Sequence, residues 1–230
     1  MNLTTLMNKN KSAASRRVDA RAALLAAAEQ VFAAHGYEGA RTRAIAEAAG
    51  VNLGLLQYYW GSKEGLFREV CEHRFRVVND ERLARLKSLQ EMQGSRDEVV
   101  EALVRAMLEP LRDFYQRQGA GQEQILSALY ARVMSDPAPE TVSIMRDLFT
   151  ELTLVFVGQL QAACDHLTER EFYWRLPSVL GPFTYAQSFS ERAAFLSGGR
   201  MESFDLTEGT EFLVHSTLAV LLAPPVVVKS

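Results

Sequence analysis

Residues 42–60, TRAIAEAAGVNLGLLQYYW, have the spacing of two short helices joined by a tight turn. Thr42 is a suitable N-cap for the first helix and Asn52 for the second, because both side chains accept backbone N–H groups. Gly50 follows the first helix at the place where a left-handed residue commonly ends one. The segment therefore predicts a helix-turn-helix unit.

The apolar residues of this unit predict which side faces a core. Ile45 and Ala49 share one face of the first helix, and Leu56 is the expected core contact of the second. We expect Val51 to fill the corner between the helices. An ordinary helical hairpin inside an all-α core is the alternative interpretation. If the unit binds DNA, the residues left to face base edges and phosphates are Leu53, Gly54, Leu55, Gln57 and Tyr58.

A helix precedes the unit and another follows it. Leu24 and Ala28 recur at helical spacing and predict a helix over residues 19–35, ended by Gly36 in the left-handed conformation. Ser62 is the expected N-cap of a helix that runs to about residue 90 and connects the unit to the rest of the chain. Lys63 begins that helix, where an ammonium and backbone N–H groups together suit a phosphate.

Composition and charge limit the class of protein. The chain has 230 residues, 48% of them hydrophobic and 23% charged, which predicts a soluble globular protein with a sizeable core. No apolar run is long enough to span a membrane, and the first ten residues lack the apolar region of a secretory signal. Two cysteines favour a reducing, cytoplasmic environment over a disulfide framework. Residues 1–63 carry eight Lys or Arg and four Asp or Glu, net +4, so the remainder carries −7, which suits a basic head that meets phosphate.

Residues 20–67 resemble the DNA-binding head of the TetR family of bacterial transcriptional regulators. The resemblance implies a homodimer whose two heads lie in successive major grooves of double-stranded operator DNA, and a helical body that binds a small effector. It covers about a fifth of the chain. The shared motifs are Leu24-Leu25-Ala26-Ala27-Ala28, Val31-Phe32, His35-Gly36-Tyr37, Thr42, Ile45-Ala46, Ala49-Gly50-Val51, Gly54, Leu56-Gln57-Tyr58-Tyr59-Trp60 and Ser62-Lys63-Glu64.

The chain departs from the family at Gln57, where the family usually carries a Tyr that contacts a phosphate. Gln57 can instead read the N6 and N7 atoms of adenine. Tyr58 and Tyr59 then supply the phosphate-binding hydroxyls, or one of them belongs to the core. The predicted DNA-binding residues are Thr42, Arg43, Asn52, Leu53, Gly54, Leu55, Gln57, Tyr58, Tyr59 and Lys63.

The pattern of helices and breakers predicts an all-α chain in four parts. Residues 1–18 are expected to form a disordered basic arm, either a solvated tail or an arm that reaches a minor groove. The head spans 19–67, the body 68–222 with a connecting helix over 68–91, and the tail 223–230. Gly94-Ser95 breaks the connecting helix. The expected body helices are 97–118, 121–135, 139–166, 168–196 and 205–222.

Prolines and a capping pattern predict where helices of the body bend, break or begin. Pro110 predicts a kink or break in an otherwise helical segment, and Pro177 and Pro182 are expected to interrupt the segment that follows Glu171. Thr168 and Glu171 have the spacing of a capping box.

Residues 97–222 of the body hold 14 of the 21 aromatic residues, which is more apolar bulk than a minimal bundle needs. The family resemblance implies that part of it lines a ligand cavity with a few polar anchors. The candidate ligand-binding residues are Tyr130, Arg132, Met134, Trp174 and Tyr185; ordinary core or surface positions are the alternative for each.

The segment 205–222 is almost apolar all round and must be buried. Packing against the same segment of a second chain is the solution that the resemblance implies; burial inside its own chain is the alternative. The candidate dimer-interface residues are Phe183, Phe189, Phe212, Leu213 and Leu221.

No sequence motif supports a cofactor, a metal site or catalysis. The four histidines are scattered, no glycine-rich phosphate loop follows a strand, and no nucleophile elbow is present. The sequence thus favours a ligand-responsive transcriptional regulator, most simply a repressor, that is not an enzyme. A ligand-independent helix-turn-helix DNA-binding protein is the alternative, and a helical enzyme or carrier with an incidental hairpin is a third class.

Overall fold

A computed structural model describes residues 3–118, 122–187, 195–200 and 206–226. Within these ranges all regular secondary structure is helical, and a small N-terminal head is followed by a larger body, so the predicted all-α class is confirmed. The helices are α1 (Leu3–Gly39), α2 (Thr42–Ala48), α3 (Leu53–Trp60), α4 (Lys63–Ser88), α5 (Arg96–Gln118), α6 (Gln122–Ser135), α7 (Pro139–Ala163), α8 (Glu169–Gln187) and α9 (Leu206–Leu222).

The start of α1 corrects the expectation of a disordered arm over residues 1–18. The structure continues the helix back to Leu3. This segment contains no glycine or proline, and its Ala, Lys and Arg residues are good helix formers, so nothing in it stops the helix that begins around residue 19 from extending toward the N-terminus.

Gly36 divides α1 near its end. Its φ of 69° is positive, as predicted, but its ψ of −178° lies outside the left-handed helical region. That combination is open almost only to glycine. The chain therefore bends at Gly36 and makes one further turn to Gly39, instead of ending in a left-handed cap.

Two of the three N-caps predicted for the head are confirmed. The Asn52 Oδ1 accepts the Gly54 N–H at 2.7 Å, and the Ser62 Oγ accepts the Gly65 N–H at 3.0 Å. The prediction for Thr42 is wrong, because α2 begins one residue earlier than expected. Arg41 holds the N-cap position in an extended conformation and makes no side-chain cap, which leaves the Thr42 hydroxyl inside the helix.

The head forms around one apolar cluster. Leu24 and Phe32 of α1, Ile45 of α2 and Leu56 of α3 are almost wholly buried together with Phe67 of α4. The Phe67 ring lies 4.7 Å from the Phe32 ring, between centroids. Because each helix contributes to this cluster, α3 is held against α1, α2 and the first turns of α4.

Polar side chains join α4 to the body. The Asn79 side chain donates to the Leu148 carbonyl of α7 at 3.1 Å. In return, the Gln159 side chain of α7 donates to the Leu86 carbonyl at 3.0 Å. These contacts fix the register of α4 and α7, so displacement of one helix must be accommodated by the other.

The prolines inside α5 and α8 do not end these helices. The structure continues α5 through Pro110, and α8 through both Pro177 and Pro182, so the expected interruptions in α8 are wrong. A proline removes one backbone N–H but keeps a φ that a helix accepts. Packing of α5 and α8 on the rest of the body is what keeps these turns helical.

The predicted capping box at α8 is half present. The Thr168 Oγ1 accepts the Glu171 N–H at 3.2 Å. The Glu171 carboxylate, however, turns away to accept the Val226 N–H at 2.9 Å and a bond from Arg175. Arg175 in turn donates to the Val220 carbonyl at 2.7 Å, so the end of α9 is fastened to α8.

Both cysteines, Cys71 and Cys164, are free and buried, and burial raises the pKa of each thiol. No helix in the described parts of the chain combines the length and apolar character needed to cross a bilayer.

Candidate nucleic-acid interface and body cavity

The exposed face of α3 carries four of the ten predicted DNA-binding residues. Leu53, Gly54 and Gln57 are exposed, and the Tyr58 side chain is 71% exposed. Leu55 does not belong to this face: it is half-buried and packs on the head core next to Leu56. The correction follows from helical geometry, since Leu55 and Tyr59 lie four residues apart on the inward side.

The two tyrosines have different environments. Tyr58 projects from the head, whereas Tyr59 is half-buried and packs against the core. Their ring centroids lie 5.2 Å apart, and the Tyr59 ring lies 5.4 Å from that of Trp60. Of the alternatives left open by the sequence, the structure favours Tyr59 as the tyrosine that belongs to the core and Tyr58 as the one free to reach a phosphate.

Exposed arginines flank the start of α2. The Arg43 side chain is 83% exposed, and its Nε donates to the Glu47 carboxylate one turn along at 3.0 Å. Arg41, which is not among the predicted residues, is also exposed, whereas Thr42 between the two arginines is half-buried. The Arg-Thr-Arg triplet is the signal that could have identified Arg41, because both cations lie at the start of the same short helix.

Lys63 makes contacts within the head that the sequence did not reveal. Its ammonium donates to the Tyr37 carbonyl at 2.9 Å and to the Ala40 carbonyl at 3.4 Å, and it lies 4.4 Å from the centre of the Tyr37 ring. Lys63 therefore ties the end of α1 to the start of α4. An ammonium has three N–H donors, so this role leaves one for an external acceptor.

A second polar cluster joins three helices of the head. The Glu69 carboxylate of α4 accepts hydrogen bonds from Trp60 Nε1 of α3 and from Arg21 of α1, each at 2.5 Å. The Arg21 guanidinium also lies 5.4 Å from the centre of the Trp60 ring. This cluster holds the end of α3 at a fixed angle to α4.

The head also rests on the body through α6. Arg132 Nε donates to the Ala33 carbonyl at 3.0 Å, and the Tyr37 N–H donates to the Asp136 carboxylate at 3.3 Å. Arg132 was predicted to bind a ligand, and the structure places it instead at this junction. Its position near the end of α6 puts its side chain beside the bend at Gly36.

A cavity of about 170 Å³ lies within the body and is lined by residues of the six helices α4 to α9. Tyr130 and Met134, two of the predicted ligand-binding residues, line it. Its other lining residues are Arg82, Val104, Met107, Leu108, Met145, Phe149, Leu152, Thr153, Phe156, Val179 and Thr217.

The remaining ligand-binding candidates are not placed in this cavity. Trp174 is 74% exposed, because it lies two residues from the buried Phe172 and so on the opposite side of α8. The side chain of Tyr185 lies outside the described residues. Sequence reasoning missed Arg82, because nothing in its own segment distinguishes it from the other charged residues of α4.

One face of α9 is exposed and the other is buried in its own chain. Phe212 is 67% exposed, whereas Leu213 is half-buried. Leu221 is fully buried against the body, so its assignment to a dimer interface is wrong; it shares the inward face with Val214 and Thr217. The predicted interface residues Phe183 and Phe189 have side chains outside the described residues.

Comparison with known sequences covers both parts of the chain. The profile of the "Bacterial regulatory proteins, tetR family" matches residues 24–70, and that of the "Tetracyclin repressor-like, C-terminal domain" matches residues 105–219. The HTH-type transcriptional repressor AcnR of Corynebacterium glutamicum is 36% identical over 73 residues, which are 30% of this chain and 39% of that protein. AcnR of Corynebacterium efficiens is 44% identical over 50 residues, 22% of this chain and 27% of that protein. The chain thus matches well under half the length of these relatives.

Solved structures share the fold over most of the chain. The transcriptional regulator FadR of Bacillus subtilis, solved in complex with stearoyl-CoA, has a TM-score of 0.57 at 12% identity, over 87% of this chain and 98% of that one. The fatty acid degradation regulator FadR of Bacillus halodurans has a TM-score of 0.54 at 17% identity, over 86% and 97% of the two chains. With the profile matches to both head and body, the chain belongs to the TetR family of bacterial regulatory proteins.

Proposed function

We propose that the protein is a cytoplasmic, homodimeric transcriptional repressor that releases its operator when a small molecule binds the body. The observation that carries this proposal is the face of α3, where Gln57 and Tyr58 project from a head whose other α3 side chains are anchored. An exposed glutamine and tyrosine on a rigid helix suit a base edge and a phosphate. The curated relatives are named repressors, which supports the proposed sign of regulation.

The proposed interface combines α3 with the start of α2. Gln57 faces the base edges, Tyr58 contacts a phosphate, and Arg41 and Arg43 lie where cations at the start of α2 can meet the DNA backbone. Asn52 acts by capping α3, and Lys63 by holding α1 to α4, with one N–H left for a phosphate. Leu53 and Gly54 allow close approach to the groove.

The connection between cavity and head supports a response to ligand. Helix α4 lines the cavity through Arg82 and holds the head through Lys63 and Glu69. A ligand that binds one arrangement of α4 better than another shifts the population of heads that fit the operator. A ligand-independent DNA-binding protein needs no such cavity, so the cavity favours the responsive form.

Mobility shifts with the full-length chain test the proposal. The probes are duplex fragments that tile the DNA upstream of its own coding region, at several salt concentrations between about 50 and 200 mM. We expect one fragment to bind at least about tenfold more tightly than the others. The double variant Gln57→Ala/Tyr58→Ala should lose this preference, whereas Gln90→Ala, an exposed glutamine after α4, should keep it. Equal binding of all fragments by the wild type, or full preference in the double variant, would contradict the proposed interface.

A thermal-shift screen with small hydrophobic metabolites separates the responsive repressor from the ligand-independent alternative. A ligand that binds the folded chain raises its melting temperature, and the same compound should then release the bound fragment. Uniform lack of stabilisation would favour the ligand-independent protein.

A further inference from the structure

The body cavity contains a buried cation. Arg82 lies on α4, is only 3% exposed, and lines the cavity. Its Nε donates to the Met107 carbonyl at 2.8 Å and its Nη1 to Asn79 Oδ1 at 3.2 Å. Both acceptors are neutral. Among the side chains that the structure describes, no carboxylate oxygen lies within 4.0 Å of the guanidinium nitrogens.

Among the described residues, the Arg82 guanidinium is thus not paired with a carboxylate, and not all of its N–H groups have an acceptor. A guanidinium has five N–H donors, and the two bonds described above occupy two of them. Burial of a charge without an opposite charge is unfavourable, whereas the same charge paired with a carboxylate is tolerated. The rest of the cavity lining is apolar or neutral, with Tyr130, Thr153 and Thr217 as its other polar residues, so the cavity itself supplies no anion.

Given the proposed function, we infer that the effector is an amphipathic monoanion of the alkanoate type. Its carboxylate binds the Arg82 guanidinium through the fork of N–H groups that suits two oxygens. Its hydrocarbon chain packs among the apolar residues of the cavity, chiefly Met107, Phe149 and Phe156. The anion completes the buried ion pair that the protein alone lacks.

The position of Arg82 also links this ligand to the head. The Met107 carbonyl that Arg82 bonds lies in the turn before Pro110, where the proline ring disturbs the regular hydrogen bonds of α5. A carboxylate bound to the remaining N–H groups attracts the whole guanidinium toward the cavity, which lengthens its bonds to that carbonyl and to Asn79. Asn79 also holds α4 to α7 through Leu148, so the contacts that set the position of α4 change together.

Calorimetric titration of the wild-type full-length chain tests the charge requirement without any substitution. The probes are octanoate, decanoate and dodecanoate, each paired with the 1-alkanol of equal chain length. We expect at least one alkanoate to bind about 10- to 100-fold more tightly than its alkanol, the range for hydrogen bonds to a charged group. Equal affinity for the pair, tighter binding of the alkanol, or no binding of either would overturn the inference.

Substitutions then assign the effect to Arg82. Arg82→Gln should reduce the alkanoate preference to within about twofold, and Arg82→Lys should retain part of it because it keeps the charge. Arg146→Gln, an exposed arginine of α7, is the matched control and should behave as wild type. Circular-dichroism melts test whether each variant is folded. If Arg82→Gln is unfolded, Arg82→Lys and the wild-type comparison of alkanoate with alkanol test the inference instead. A full preference in folded Arg82→Gln would overturn the inference.

Operator release distinguishes failure of this inference from failure of the proposed function. If a neutral or cationic compound releases the operator while alkanoates do not, the ligand class is wrong and the repressor stands. If the wild-type chain prefers no DNA fragment, the proposed function fails whatever the cavity binds. Release by decanoate but not by 1-decanol supports both.

Discussion

Gly36 joins the two parts of α1 in a backbone conformation that residues other than glycine rarely adopt. Its φ of 69° and ψ of −178° place it in a region used almost only by glycine, and the space around a Cβ built there is ordinary, with the nearest atoms at 3.8 and 3.9 Å. The cost of a side chain at this position is therefore strain in the backbone and not a clash.

We predict that Gly36→Ala lowers the free energy of unfolding by about 1–3 kcal/mol, the cost of a residue held in this region. Gly158→Ala is the matched control: Gly158 lies within α7 with open space around its Cβ, so alanine should stabilise the helix by about 0.5–1 kcal/mol. Urea unfolding of both variants measures the two effects. Equal effects would show that the bend at Gly36 imposes no strain.

Gln57 and Lys63 should differ in how their loss changes DNA binding. Gln57→Ala should relax the preference at one or two base pairs by about 1–3 kcal/mol, because a bidentate contact to a base is lost. Lys63→Ala should weaken binding to every sequence alike and should also lower the melting temperature, since it frees the Tyr37 and Ala40 carbonyls. Competition mobility shifts with single-base operator variants measure the first effect. A uniform loss in both variants would show that Gln57 reads no base.

Residue-level signals predicted the head well and the body poorly. Asn52 and Ser62 bond backbone groups two or three residues along the chain, and the burial of Leu56 follows from its spacing in the helix-turn-helix unit. Arg132 and Arg82 act through distant helices, and nothing in their own segments showed that one lies at the junction with the head and the other in the cavity. A cation's role depends on what tertiary packing brings near it.

Among the elements, α9 is joined to the body by a charged cluster as well as by its apolar face. Arg105 of α5 donates to both oxygens of Glu211 at 2.8 and 3.0 Å, and also to Glu101 at 2.8 Å. Hydrogen bonds from Arg105 hold the pKa of Glu211 below its ordinary value of 4.5. The pairing connects α5, which lines the cavity, to the helix with the exposed Phe212.

This pKa gives the pairing a pH dependence with a definite sign. A carboxylate with a lowered pKa in the folded state stabilises the fold above about pH 4.5, and the contribution is lost as the pH falls through the lowered value. We predict that Glu211→Gln destabilises the chain by a constant amount near neutral pH, and that the difference shrinks below pH 4.5. Thermal melts from pH 7 to 3 measure it, with Glu91→Gln in the exposed turn after α4 as control. A pH-independent difference would contradict the ion pair.

Helix ends could be predicted from the sequence where glycine and a capping residue mark them, and not where proline was the only signal. The Gly94-Ser95 break is real, and a full capping box between Ser95 and Glu98 starts α5: the Ser95 N–H donates to the Glu98 carboxylate at 2.8 Å and the Glu98 N–H to the Ser95 Oγ at 3.4 Å. The helix α8, by contrast, continues through Pro177 and Pro182. Tertiary packing outweighs the local cost of a proline, which sequence alone does not reveal.

For the whole molecule, the exposed apolar face of α9 is the proposed dimer contact. Phe212 is too exposed to contribute to the core of its own chain. A large exposed apolar side chain of this kind marks a surface that a partner can bury favourably. Phe212→Glu should shift the chain toward a monomer in sedimentation velocity and lower operator affinity at least about tenfold, since one head alone makes half the contacts. Val77→Glu, at an exposed apolar residue of α4, is the control. An unchanged dimer in Phe212→Glu would place the interface elsewhere.

Hydroxyl-radical footprinting of the full-length chain on its upstream DNA tests the central claim most directly: that α3 of two chains grips one duplex. The account predicts two protected patches related by a twofold axis, centred about 34–36 Å apart in successive major grooves, and their loss in Gln57→Ala/Tyr58→Ala. A single unsymmetrical patch, or protection that survives the double variant, would contradict it.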